Sequence, residues 1–188
     1  PLSRNILIRR SQYAREADPQ FQLNMAKAVI RAKVLNCAQL IRRSRSSGAV
    51  TDEMRTETVE RLLQYADSVE AAGSGESLLG VEGSAAKCYW ATYGKLFRDE
   101  SLRMQGRALR PPPDPVNAAL SFGYVLLTSR LTSLIEGYGF DPYLGFYHKP
   151  AYGRPSLALD LLEPFRPYVV DRFVKRLFNL RILRGDDF

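Results

Sequence analysis

Residues 18–48 read DPQFQLNMAKAVIRAKVLNCAQLIRRSRSSG, with no glycine or proline between Pro19 and Gly48. Asp18 followed by Pro19 is a typical helix start, because the aspartate side chain caps free N–H groups and proline is tolerated at the first helical position. The segment therefore predicts one long helix over about residues 18–46. Its apolar residues recur at helical spacing, which predicts a face packed on a core. This stripe comprises Leu23, Ile30, Val34, Cys37 and Ile41.

The same start and stop signals predict further helices along the chain. They run from Thr51 to just before Gly73, over about 76–97, and over Val116–Glu136, Ser156–Leu162 and Pro167–Leu180. The helix over Val116–Glu136 is the most apolar, which predicts a central place in the core. Pro164 should end or kink the short helix Ser156–Leu162. No segment alternates polar and apolar residues long enough for a strand. The predicted fold is all-α, with one multi-helix domain over residues 1–188.

Residues 98–113 are polar and end in a run of three prolines, Pro111 to Pro113. Consecutive prolines cannot form a helix interior, because each lacks the N–H that the helix requires. We therefore expect an exposed loop between the third helix and the most apolar one.

The positive charge of the chain is concentrated in its first quarter. Residues 1–45 hold ten Lys or Arg against Glu16 and Asp18, whereas the remaining residues hold seventeen against eighteen acids. A local basic block favours a polyanionic partner, with a solvated helix face as the alternative. Cys37 and Cys88 lie far apart, which indicates buried thiols and neither a disulfide framework nor a zinc knuckle. No signal peptide and no sufficiently long apolar run is apparent, so a cytoplasmic protein is expected.

His148 is the only histidine in the chain, and two acids follow it at Asp160 and Glu163. Residues three apart share one face of a helix. A third acid, Glu82, lies among small residues that would let another backbone approach it closely. Mn²⁺ and Mg²⁺ prefer oxygen ligands, and Mn²⁺ accepts imidazole more readily, whereas zinc usually has more His or Cys ligands. A hard-metal site is one interpretation; a hydrogen-bonded structural histidine with solvent-facing acids is the other.

Three longer blocks resemble the signature blocks of the CRISPR-associated spacer integrases, in the same order and spacing. They are Gly80–Ala86, Arg110–Tyr124, and Asp141–His148 continuing to Glu163-Pro-Phe-Arg166. The resemblance covers nearly the whole chain. It implies the all-helical catalytic domain of that family, which takes part in antiviral defence by joining spacer 3′-OH ends to the CRISPR repeat and which also cuts DNA.

What the resemblance implies for the site is a divalent ion, Mn²⁺ or Mg²⁺, bound by Glu82, His148 and Glu163. Asp160 is expected beside them as an auxiliary carboxylate or an alternative ligand. These four residues are the catalytic candidates, and the choice of Glu163 over Asp160 as the third ligand is left open.

The resemblance implies four partners: double-stranded and branched DNA, a second copy of the chain, the small protein numbered second in the same Cas series, and a fused or associated Cas exonuclease. It implies no membrane partner, and the expected location is a prokaryotic cytoplasm. The family also carries a β-rich domain ahead of the segment that resembles Arg4–Tyr13, so this chain is expected to be part of a longer protein. The candidate DNA contacts are Lys27, Arg31, Arg42, Arg45, Arg107, Arg110, Arg154 and Arg166. The alternative functions are a non-catalytic helical DNA-binding subunit and a metal phosphoesterase acting on small substrates.

Overall fold

The computed structural model of the protein describes residues 6–44, 49–108 and 111–188, and these ranges are helical with no strand. The helices are α1 (Ile6–Glu16), α2 (Pro19–Arg43), α3 (Asp52–Ala71), α4 (Gly75–Tyr93), α5 (Pro115–Tyr138), α6 (Ser156–Phe165) and α7 (Arg172–Asn179). A π-helical turn, Arg166–Asp171, joins α6 to α7, and single 3₁₀ turns lie at Glu100–Leu102 and Gly185–Asp187. The all-α prediction is confirmed.

Helix α2 is the centre of the fold. The Asp18 carboxylate accepts hydrogen bonds from the backbone N–H groups of Gln20 and Phe21, as expected of a helix cap. The helix packs against α1, α3, α4, α6 and the π-helical turn. Its predicted apolar stripe is largely buried, and Ile30 and Ile41 are wholly inaccessible to solvent. One long amphipathic helix thus organises the elements that carry the acidic residues.

Helix α5 is not central, so that prediction is wrong. It packs against α6, the π-helical turn and α7, while its side chains Phe122 and Val125 are each 66% exposed. High apolar content measures composition and does not count packing partners. Within the described ranges, α5 is the one helix that is both long enough and apolar enough to cross a membrane. Only 22% of its most apolar stretch is buried. The expectation that the chain has no apolar run of this length is therefore wrong. Length and composition by themselves are weak evidence that the helix spans a membrane.

Two connections also differ from expectation. Helix α6 continues through Pro164 to Phe165 and into the π-helical turn, although proline cannot donate the backbone hydrogen bond of a regular helix. Helix α4 stops at Tyr93, earlier than predicted, and is followed by Gly94, where the backbone oxygen of Met104 lies 2.1 Å from the position that a Cβ would take. Met104 is itself buried, so the segment 98–108 is in part a core element and not simply an exposed loop.

Candidate active site

Two glutamates from different helices meet at one lysine. Helix α4 carries Glu82, α6 carries Glu163, and α2 supplies Lys33, whose Nζ lies 2.5 Å from Glu82 Oε1 and 2.6 Å from Glu163 Oε2. The side chains are 16%, 4% and 17% exposed, respectively. Burial by itself would lower the pKa of Lys33, but the two carboxylates outweigh it and hold that pKa above its ordinary value. The site therefore contains a positive ammonium between two acids.

Glu82 has a second partner in the loop that carries the histidine. The Tyr147 hydroxyl donates a short hydrogen bond to Glu82 Oε2. Burial would raise the pKa of Glu82, but the positive charge of Lys33 and the hydrogen bonds from Lys33 and Tyr147 outweigh it, so this pKa is lowered. Burial and the hydrogen bond to Glu82 raise the pKa of Tyr147. Glu82 is thus a carboxylate and Tyr147 a neutral donor.

Asp160 is used entirely within the protein. Its Oδ2 accepts the backbone N–H groups of Phe146 (2.6 Å) and Tyr147 (3.0 Å). Its Oδ1 lies 2.8 Å from both the backbone nitrogen and the Nδ1 of His148. Asp160 is only 2% exposed. A carboxylate on one ring nitrogen fixes the orientation of the imidazole and leaves Nε2 as the nitrogen for a ligand. Asp160 therefore positions His148, which is the auxiliary role considered from the sequence.

The histidine loop between α5 and α6 is held from two sides. Gly145 passes so close to α6 that an added Cβ would lie 2.7 Å from Asp160 Oδ2 and 2.8 Å from the backbone carbon of Ser156. From α1, the Gln12 side-chain amide donates to the backbone oxygens of Asp141 and Leu144, each at 2.8 Å. Gln12 is buried, so this contact is a fixed part of the fold.

The predicted small-residue surroundings of Glu82 are open on one side. No heavy atom lies within 4 Å of a Cβ built on Gly80 or Gly83, and both glycines are exposed. The expected close approach of another backbone is therefore wrong at these two positions. Glu82 lies beside a free surface of α4.

The predicted DNA-contacting residues divide into three groups. Arg166 lies 3.1 Å from Glu163 and stacks on the Tyr124 ring, so it belongs to the site. Lys27 and Arg31 both contact Glu70 on α3. The remaining described candidates are exposed Arg42, Arg107, which bonds to Asn117 and Ser121, and Arg154, which bonds to the Lys149 carbonyl. Arg45 and Arg110 lie outside the described residues.

A buried acid, Asp171, lies behind the site on the π-helical turn. The hydroxyls of Tyr89 and Tyr124 donate to its carboxylate, and the hydroxyl of Tyr93 donates to its backbone oxygen. Burial raises the pKa of Asp171 from 3.8 to about 6, although the hydrogen bonds from Tyr124 and Tyr89 oppose this shift. A small cavity of about 70 Å³ has Lys33, Glu82 and Asp171 among its lining residues.

The raised pKa of Asp171 predicts a pH dependence of stability. Between about pH 4 and 6 the folded protein keeps a proton that the unfolded chain has released, so stability falls as pH rises through this window, by about 3 kcal/mol in total. Asp171→Asn lacks this contribution. Urea unfolding at pH 4, 5, 6 and 7 should show the parent losing about that much more free energy of unfolding than the variant. Parallel pH curves for the two proteins would contradict the assignment.

The donor set suits a hard divalent ion. Carboxylate oxygens of Glu82 and Glu163 converge on a single cation, and the imidazole of His148 is held by a carboxylate, as in many metal sites. Glu163 Oε2 is buried and lies 2.6 Å from Lys33 Nζ, so this one cation is what a divalent ion would replace there. Among the described residues, no three His, Cys, Asp or Glu side chains form a ready metal cluster. Lys33 lies between the two glutamates instead.

Lys33 is the residue that the sequence interpretation missed. It lies three residues after Ile30 and four before Cys37, so it is at the edge of the apolar stripe of α2. A lysine on the core side of an amphipathic helix is unusual, because a buried ammonium requires acidic partners. That position was the available signal, whereas the identity of the two partners depends on how α4 and α6 pack against α2.

Comparison with known proteins places this geometry in context. The model of the family described as "CRISPR associated protein Cas1" matches residues 1–188. A Geobacter sulfurreducens protein named "CRISPR-associated exonuclease Cas4/endonuclease Cas1 fusion" is 42% identical over 98% of this chain and 34% of its own length. This chain therefore spans about a third of that relative.

Two solved structures share the fold. One, titled "Casposase bound to integration product", has a TM-score of 0.80 and 30% identity, covering 100% of this chain and 51% of the other. The other, titled "Cas6-RT-Cas1--Cas2 complex", has a TM-score of 0.84 and 26% identity, covering 93% of this chain and 19% of the other. Both similarities extend over at least 93% of this chain.

Proposed function

Because this chain belongs to the CRISPR-associated Cas1 family, we propose that it carries the catalytic site of a DNA integrase and endonuclease that acts in spacer acquisition. The observation that carries the proposal is the convergence of Glu82 and Glu163, from two helices, on one cation. The names of the Geobacter relative and the casposase structure support the same class of chemistry.

The proposed metal ligands are Glu82, Glu163 and His148, with Mn²⁺ or Mg²⁺ as the ion. Glu163 is favoured over Asp160 as the third ligand, because Asp160 already accepts three backbone N–H groups and holds the His148 ring. When bound, such an ion supplies charge stabilisation at the phosphate during an in-line displacement.

The protein's own groups prepare this site. Asp160 orients the imidazole of His148, and Tyr147 holds one oxygen of Glu82, which leaves the other oxygen for a cation. Arg166 lies against Glu163 and is close enough to the carboxylates to contact a phosphate bound there. In the joining reaction, a DNA 3′ oxygen forms a bond to phosphorus, and the phosphorus–oxygen bond to the displaced strand end breaks. With water as the nucleophile, the same site cuts DNA.

DNA is the proposed substrate, in double-stranded and branched form. The exposed surface of α4 at Gly80 and Gly83 leaves room for a phosphate backbone beside Glu82. The proposed phosphate contacts are Arg166 and the exposed Arg42, with the other basic candidates kept as predictions. A second copy of the chain, a Cas2 protein and a Cas4 exonuclease are the proposed partners, the last two by analogy with the names of the relatives. A prokaryotic cytoplasm and one helical domain over residues 1–188 also stay predictions.

Metal removal tests the proposed function against the alternative of a non-catalytic DNA-binding subunit. The protein, with its Cas2 partner added, is given a branched DNA bearing a free 3′-OH end, and joined and nicked products are measured. We expect EDTA to lower product formation by at least about 100-fold and Mn²⁺ to restore it, because the charge stabilisation depends on the ion. DNA binding by mobility shift serves as the control and should persist in EDTA. Binding without any metal-dependent product would support the non-catalytic alternative.

A further inference from the structure

Lys33 has a role that the proposed ligands do not explain. It extends from α2 into the space between α4 and α6 and lies within 2.6 Å of both glutamates. We propose that Lys33 is a built-in counter-cation, which holds Glu82 and Glu163 together before a divalent ion arrives and is displaced by that ion. The inference rests on the metal site proposed above and concerns how that site is kept ready.

The charges around Lys33 favour this role. Two carboxylates that are largely buried repel each other and are costly to bury unless a cation lies between them. Lys33 and Arg166, which lies 3.1 Å from Glu163, together compensate the two negative charges. The pair is therefore stable enough to fold without an ion, and displacement of Lys33 would free carboxylate charge for a divalent one.

Lys33 and a metal ion cannot share the same two oxygens. Carboxylate oxygens bind hard divalent ions at roughly 2.0–2.6 Å, so an ion on Glu82 Oε1 and Glu163 Oε2 would lie within about 5 Å of an unmoved Nζ. Two cations at this separation in a poorly solvated site repel strongly. Glu163 Oε2 lies 2.6 Å from Lys33 Nζ, so an ion that binds there must replace this ion pair.

The structure also has space for the displaced ammonium. The cavity of about 70 Å³ borders Lys33 and Glu82 and has the carboxylate-bearing residue Asp171 among its other lining residues. The four-carbon stem of lysine is flexible, so the ammonium can move while the stem stays packed. Arg107 and Arg166 also line this cavity, so it offers Lys33 room to move and one acid, Asp171, together with two other cations.

The first test is the affinity of the purified protein for Mn²⁺, measured by calorimetry in Lys33→Met, which keeps the length of the side chain and removes its charge. We expect the Lys33 ammonium to occupy the site in at least about nine of ten parent molecules, so that only about a tenth are ready to bind Mn²⁺. Lys33→Met should therefore bind Mn²⁺ at least about ten times more tightly than the parent. Lys33→Arg keeps the charge and should stay close to the parent. Lys175→Met is the matched control, because Lys175 is another half-buried lysine that bonds to Ser44.

The second test uses the parent protein and does not depend on a variant folding. With ¹⁵N-labelled lysine, the Nζ resonance of Lys33 should shift when Mg²⁺ is added, while that of Lys175 should stay. An unchanged Lys33 resonance at saturating Mg²⁺ overturns the inference. The inference is also overturned if folded Lys33→Met binds Mn²⁺ no more tightly than the parent while Glu82→Gln abolishes Mn²⁺ binding. That combination would support the metal site and reject only the role of Lys33. Absence of Mn²⁺ binding in both the parent and Lys33→Met overturns the metal site together with the role of Lys33.

Discussion

Replacement of either glutamate, as Glu82→Gln or Glu163→Gln, is expected to lower DNA joining and nicking by at least about 1000-fold. Glutamine preserves the shape of the side chain and removes the negative charge that binds a divalent ion. Because the two glutamates converge on the same cation in the structure, each substitution should have a similarly large effect. Initial rates on a branched DNA at saturating Mn²⁺ give the comparison.

The control for these substitutions is Glu57→Gln on α3, whose side chain is 71% exposed and faces Arg61. It removes the same charge at the surface and should leave the rate unchanged. DNA affinity of both site variants, measured in EDTA, should persist, since loss of a negative charge does not weaken contacts to phosphates. Activity of Glu82→Gln within ten-fold of the parent would show that the ligand assignment is wrong.

Asp160→Asn is expected to lower the stability of the site more than the other substitutions considered. An asparagine keeps one acceptor oxygen, but its amide nitrogen would face N–H donors that now bond to a carboxylate oxygen. We expect the free energy of unfolding to fall by about 2–4 kcal/mol, since several hydrogen bonds to a buried charge are lost together. Loss of the carboxylate charge beside the ring should also weaken Mn²⁺ binding by roughly 10–100-fold, as is usual when the partner of a metal-bound histidine is altered.

Two further variants separate these effects. Asp141→Asn changes another aspartate of the same loop, which accepts hydrogen bonds from the backbone N–H of Tyr143 and the exposed hydroxyl of Tyr13. Because both contacts lie near the surface, it should cost less than about 1 kcal/mol. Gly145→Ala keeps the Asp160 charge but places a Cβ 2.7 Å from its Oδ2, so it should weaken Mn²⁺ binding as Asp160→Asn does. Urea unfolding and Mn²⁺ calorimetry check both. Full stability and Mn²⁺ affinity in Asp160→Asn would contradict a positioning role.

Much of the helical architecture could be predicted from local patterns. The caps at Asp18 and Thr51 and the apolar stripe of α2 act within a few residues, so they can be recognised without knowing the rest of the fold. The failures concern packing between distant segments. The exposure of α5 depends on which helices cover it, and the close approach of the Met104 backbone to Gly94 joins residues ten apart after α4 has ended.

The site follows the same division. Asp160 and Glu163 lie three residues apart, so their shared helix face follows from helical geometry. Their different roles do not, because the loop at residues 146–148 folds onto Asp160 and only Glu163 reaches Lys33. Lys33 itself is 49 residues from Glu82 and 130 from Glu163. No local pattern relates residues at such separations.

For this chain, residue types and short-range spacing were enough for the helices, their caps, the resemblance to a known family and the candidate residues Glu82, His148 and Glu163. Helix packing alone decided that Glu82 and Glu163 meet at Lys33 and that Asp160 holds His148. The physical reason is that helix formation depends on hydrogen bonds four residues apart. The electrostatic site, by contrast, depends on side chains that approach one another only when α2, α4 and α6 bury their apolar faces together.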